Sequence, residues 1–243
     1  MKGSYGFTLA LGCLLGFAGA AAAADYKVVS GGVKGGGTVS GRVSLSGPAP
    51  APATLKVDED KEACGGDRPS DELLVGANSG VQNVVVEIEG IGAGKDWDFP
   101  ETFTYDQKKC MFAPRIMLIK PNMPGEVLNS DTIGHNFHTI SKGVYNINKK
   151  IQPGSKLVVN KNNIRRSGLV RAKCDIHSWM GGAWYVAETP YTVLTDKDGN
   201  FTLKDVPPGS YTLKVWHEKL GESEQKIVVK GGETAKADVS MKP

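Results

Sequence analysis

The chain has 243 residues, 40% of them hydrophobic and 23% charged, with a formal net charge of +3. That length and apolar content allow two β-sandwich domains, each with its own core. The near balance of charge gives no general attraction to nucleic acid, and from Lys149 to Arg171 no aromatic residue is interleaved with the basic ones.

Read from the start, Lys2, an apolar run from Phe7 to Phe17 and small residues through Ala24 form a secretory signal over residues 1–24. Ala22 and Ala24 fit a small-x-small cleavage site, which starts the mature chain at Asp25 and lowers the net charge to +2, since Lys2 is the only charge removed. The run is too short and too rich in glycine for a membrane span. Anchoring through a lipid on Cys13 is the lesser alternative, because Ala10-Leu11-Gly12 is a poor match to the residues that usually precede such a cysteine. The expected location is the periplasm or the exterior, an oxidising setting. There Cys64, Cys110 and Cys174 are an odd set. If Cys64 pairs with Cys110, Cys174 is left to be reactive, intermolecular or committed to a metal.

Residues 25–36 are glycine-rich and read as a flexible leader. Beyond them the chain alternates like strand: Val39, Val43 and Leu45, then the β-branched Val84–Ile88, then runs at 116–119, 156–159, 169–174 and 183–186. Further runs follow at 191–195, 200–203, 211–216, 226–229 and 235–241, separated by Gly, Pro and Asn, and no long helical period appears. The fold class is all-β with two sandwiches.

The segment DKDGNFTLKDVPPGSYTLKVWHEKLG, Asp196 to Gly221, resembles the carboxypeptidase regulatory-like family of small prealbumin-type sandwiches. It carries the Asp198-Gly199 and Pro207-Pro208-Gly209 turns, each followed by an alternating strand. The resemblance implies an opening strand like Gly37–Val43, here more than a hundred residues upstream. One sandwich interrupted by an insertion is therefore expected, with 37–91 and 190–243 as its parts and 92–189 as the inserted domain. The resemblance implies no catalysis for this module. Asp196-x-Asp198-x-Asn200 lacks the distal ligands of a calcium loop and reads as a hairpin turn.

Within the insertion, Cys174-Asp-Ile-His177-Ser-Trp-Met180 gathers a thiol, an imidazole and a thioether at spacings of three. About forty residues upstream stands His135-Asn136-Phe137-His138. Together these motifs resemble the cupredoxins, the small blue copper proteins, most of all those of amicyanin type. The resemblance covers Arg115 to Val186 and implies a Greek-key sandwich with one type 1 copper held by His135, Cys174, His177 and, axially, Met180. Imidazole suits both oxidation states of copper, while sulfur favours the reduced one. Asn136 is implied as an outer hydrogen-bonding partner, and Cys64–Cys110 is the expected disulfide. His138, three positions along an extended strand from His135, points to the opposite face. Trp179 and Trp184 are expected to cover the site, Gly181-Gly182 to permit the turn after it, and His217 to pack locally.

The implied function is one-electron transfer without bond-making chemistry, so the chain is not read as an enzyme. Alternatives are copper sequestration or delivery, and a structural surface module with an incidental metal site. Cys174 with His177 as a nucleophile–base pair lacks an orienting third residue. The basic run Lys149, Lys150, Lys156, Lys161, Arg165, Arg166 and Arg171 suggests an acidic redox partner.

Overall fold

The computed structural model describes residues 26–243; the signal, its cleavage site and Cys13 lie outside the described residues. The chain builds two β-sandwiches, each around its own buried cluster, with a small third cluster between them.

The outer sandwich draws on both ends of the described chain. Its first sheet runs Thr192–Leu194, Val85–Glu89, Gly209–His217, Gly221–Val229. Its second places Gly37–Leu45 between Asn200–Val206 and the short parallel partners Thr234–Lys236 and Val239–Met241. Alternation sends Val39, Val43 and Leu45 inward to meet Phe201, Leu203, Leu213 and Val215. Burial of each such aliphatic side chain is worth roughly 1.5–3 kcal/mol. The turn between Thr192–Leu194 and Asn200–Val206 closes on itself. Asp196 accepts the backbone N–H groups of Asp198 and Asn200 at 2.9 and 2.8 Å, and Gly199 takes φ +80°.

Residues 103–186 form the other sandwich. One sheet has the order Lys156–Val159, Gly125–Asn129, Phe103–Lys108, Met111–Ala113. The facing sheet has the order Ile147–Ile151, His135–Ser141, Gly168–Lys173, Gly181–Val186, Ile116–Ile119. Phe103, Tyr105, Phe112, Phe137 and Trp184 meet edge-on or stacked in the space between.

Two segments depart from the sequence expectation. Between Leu45 and Val75 the chain leaves the outer sandwich: Val57 and Cys64 are buried in the core of the other unit, and a disulfide joins Cys64 to Cys110. Residues 54–69 therefore belong with the inserted sandwich, held by that bond and by the burial of Val57. The leader is also pinned. Lys27–Val28 pairs in parallel with Ala93–Gly94, and Tyr26 packs edge-on against Trp97 and Tyr191 while donating to the Lys95 carbonyl. An aromatic anchor overrides the local glycine bias.

Arg115 ties the two units together. It is 8% exposed and bonds Glu218 of the outer sandwich through Nε and Nη2, and Asp71 through Nη1 at 2.7 Å. Glu87, buried in the outer sheet, accepts hydrogen bonds from the Tyr185 hydroxyl and from Thr192, and burial pushes its carboxyl above the usual range.

His217 lies beside Arg115 at 2% exposure and accepts the backbone N–H of Lys219 through Nδ1. Burial, then the Arg115 charge, pushes its pKa down to about 4. The unfolded chain, with a pKa near 6.5, binds this proton first, so the stability that neutral His217 contributes is complete above pH 6.5 and lost as pH falls to 4. The loss amounts to about 3 kcal/mol. A His217→Gln variant, which keeps an acceptor for Lys219, should show a correspondingly smaller fall in urea stability between pH 7 and pH 4. Parallel pH profiles for the two proteins would refute the assignment.

Candidate metal centre

The site forms where strands Gly168–Lys173 and His135–Ser141 run antiparallel, with Lys173 opposite His138. Cys174 ends the first strand, and its loop folds back at once: the Cys174 N–H donates to the Met180 carbonyl at 3.2 Å and the Met180 N–H to that of His177 at 3.0 Å. This curl buries Cys174, His177 and Met180, all 3% exposed or less, and brings the Cys174 sulfur and the His177 ring together. His135 reaches it from the neighbouring strand, fully buried.

Asn136 joins the two motifs. Its N–H donates to the Cys174 sulfur at 3.3 Å, and its side-chain oxygen accepts the Asp175 N–H at 3.2 Å. The His177 N–H gives that sulfur a second contact at 3.4 Å. Two backbone donors are thus aimed at one sulfur.

The histidines carry the strongest chemical information. Their Nδ1 atoms face each other at 2.9 Å, and His177 Nδ1 lies 3.8 Å from the Cys174 sulfur. Each ring turns its Nε2 to a carboxylate, His135 to Asp131 at 2.8 Å and His177 to Asp60 at 2.9 Å. A proton on either Nδ1 makes that contact an ordinary hydrogen bond, whereas a proton on each Nε2, facing its carboxylate, leaves both inner nitrogens as lone pairs able to take a shared cation. Metal–imidazole bonds near 2.0 Å put two ligating nitrogens roughly 3 Å apart, so the spacing suits a shared ion. The donor set of two imidazoles and a cysteine sulfur, with a methionine on the same buried loop, fits copper. Burial, reinforced by the neighbouring His177 ring, holds His135 below the ordinary imidazole range despite Asp131.

His138 lies on the other face, bonded through Nδ1 to Asp175 at 2.9 Å. Trp179 packs against His177 with ring centres 5.1 Å apart and donates to the Cys110 carbonyl. Trp184 does not cover the site: it occupies an inward position of its strand, within the aromatic core. Gly182 is required by close approach and not by a turn, since a Cβ there would meet the Tyr105 hydroxyl at 2.3 Å. A second cluster of Cys110, Asp131 and His135 offers no thiolate, because Cys110 is in the disulfide.

Sequence reasoning missed Asp60 and Asp131. Asp131 stands four residues before His135, and Asp60 four residues before a disulfide cysteine; neither spacing advertises a contact to a histidine ring. Around Asp60 the exposed acids Asp58, Glu59 and Glu62 outnumber the exposed Lys61, whereas Lys149 and Lys150 lie exposed on the edge strand Ile147–Ile151.

Residues 185–242 match the family model for the carboxypeptidase regulatory-like domain. No curated protein matches the chain. Among solved structures, a copper-containing nitrite reductase from Thermus scotoductus is 20% identical over 42% of this chain and 26% of its own, with a TM-score of 0.34. The chain thus spans about a quarter of that protein. Amicyanin from Paracoccus versutus is 17% identical over 37% of this chain and 85% of its own, with a TM-score of 0.31. A purple cupredoxin from Nitrosopumilus maritimus is 20% identical over 32% and 82%, with a TM-score of 0.27. None is close enough to carry a function across. The chain is all-β, built as two sandwiches, and the outer one contains the stretch that matches the carboxypeptidase regulatory-like model.

Proposed function

We propose that this is an exported copper protein that carries one electron at a time. The observation that supports this reading is the convergence of two inward Nδ1 atoms and the Cys174 sulfur on one buried point. His135, Cys174 and His177 would hold the ion, with Met180 offering a thioether from the same loop. Copper bound there supplies a reversible one-electron couple. The chain's part is to resist rearrangement: strand pairing fixes His135, the closed loop fixes Cys174, His177 and Met180, and Asn136 ties loop to strand. Four protein ligands leave no open position for substrate, so the reading is a carrier and not an enzyme. The partner on this reading is an acidic redox protein steered to Lys149 and Lys150, an attraction that salt weakens.

Sequestration or delivery of copper is the second reading, favoured by the acidic exposed residues beside Asp60. Titration of the metal-free protein with copper(II) separates the two. A carrier takes one equivalent, develops intense visible absorption, cycles reversibly on reduction and yields its copper slowly to chelators. Rapid loss to a chelator with slow or irreversible reduction would favour delivery, and no binding would end both readings.

A further inference from the structure

We propose that Asp60 is a positioning residue for the metal, held over His177 by the Cys64–Cys110 disulfide, and that it sets the centre's reduction potential. The inference rests on the copper reading above.

The placement of Asp60 is built by several independent contacts. It stands at the N-terminal end of the short helix Lys61–Cys64 in a left-handed conformation, φ 47° and ψ 39°, which aspartate tolerates better than most non-glycine residues. Its carbonyl accepts the N–H groups of Ala63 and Cys64. Buried Val57 and Cys64 bracket the turn, and the Val57 N–H is held by Asp67 at 3.0 Å. Arg68 donates to the carbonyls of Cys64 and Lys109, one on each side of the disulfide. The same bond steadies the other carboxylate, since Asp131 accepts the N–H groups of Lys109 and Cys110 at 2.6 and 2.7 Å. Both carboxylates that grip the histidines are thus mounted on one covalent link.

A carboxylate on Nε2–H fixes the tautomer that turns Nδ1 inward and makes Nδ1 a stronger donor. The gain is larger for the oxidised ion, which carries the higher charge, so Asp60 lowers the reduction potential. It also covers a ring edge that would otherwise meet water; His177 is fully buried while the Asp60 side chain is 48% exposed.

The test uses the copper-loaded full chain with Asp60→Asn, which keeps shape and an acceptor oxygen, and Asp60→Ala, which keeps neither. Copper(II) affinity should fall by about 10–100-fold in Asp60→Ala, with copper(I) affinity changing less. Each tenfold preferential loss of the oxidised state raises the potential by about 59 mV. Asp60→Asn should fall between Asp60→Ala and the unmodified protein. In metal-free protein, nitrogen NMR should find His177 protonated at Nε2, and Asp60→Ala should mix the tautomers. Unchanged potential and copper(II) affinity in both variants would overturn the proposal, as would an unmixed tautomer in Asp60→Ala. Should the unmodified chain not bind copper, the copper reading fails and with it the proposed control of potential, while the NMR measurement still decides whether Asp60 positions His177.

Discussion

Cys174→Ser is expected to abolish the intense visible absorption of the copper-loaded protein and to cost more copper affinity than any outer-shell change. Serine can keep both backbone contacts that now reach the sulfur, from Asn136 and His177, so the loop should retain its fold. What it loses is a soft, readily deprotonated donor: a hydroxyl stays protonated near neutral pH and suits neither the reduced ion nor charge transfer. Loss should exceed the roughly 10–100-fold typical of outer-shell residues. Visible spectra of both proteins at one equivalent of copper decide the matter. An undiminished band in the serine variant would exclude His135, Cys174 and His177 as the ligand set. A band lost together with the far-ultraviolet strand signal would show misfolding, and that result would be resolved with Cys174→Ala.

Arg115→Ala should be the most destabilising substitution at the junction, by about 3 kcal/mol, the lower end of the range for breaking a buried ion pair. The lower end applies because Asp71 and Glu72 are 36% and 30% exposed and keep some water after the guanidinium is gone. Glu218, at 13% exposure, has less recourse and is left facing two other carboxylates. Arg115→Lys should recover only part of the loss, since a point charge cannot reproduce the two-pronged contact through Nε and Nη2. Urea unfolding at neutral pH measures both variants, and a cost below about 1 kcal/mol for alanine would mean that the junction is held by its apolar contacts instead.

Period-two alternation made most strands legible, because each sandwich buries one face and leaves the other wet: Val39, Val43 and Leu45 show it plainly. The candidate ligands were legible for a different reason. Three of them sit on one short loop, so local spacing encodes their convergence. The outer half of the site is not local. Asp60 reaches His177 across 117 positions, brought there by a disulfide and by Val57, and no periodicity records such a contact. Trp184 was misplaced because its nearness to the ligand loop in sequence outweighed the inward phase of its strand. The leader was misjudged because glycine content says nothing of a single tyrosine with two aromatic partners.

The interrupted outer sandwich also bears on the order in which the molecule is made. Gly37–Leu45 finds its strand partners only at 200–206 and beyond, and the Arg42 N–H bonds a carboxylate 196 positions later. Pairing Gly37–Leu45 with Asn200–Val206 closes a loop of more than 150 residues. The hairpins of the inserted sandwich close over much shorter spans, between 103–108 and 111–113 or 168–173 and 181–186. That unit can therefore condense first, and in doing so it draws Val85–Glu89 and Thr192–Leu194 together and shortens the loop that the outer sheets must close. The later sandwich is thus templated by the earlier one, and a lesion that delays the inserted sandwich should surface as misfolding of residues far from it.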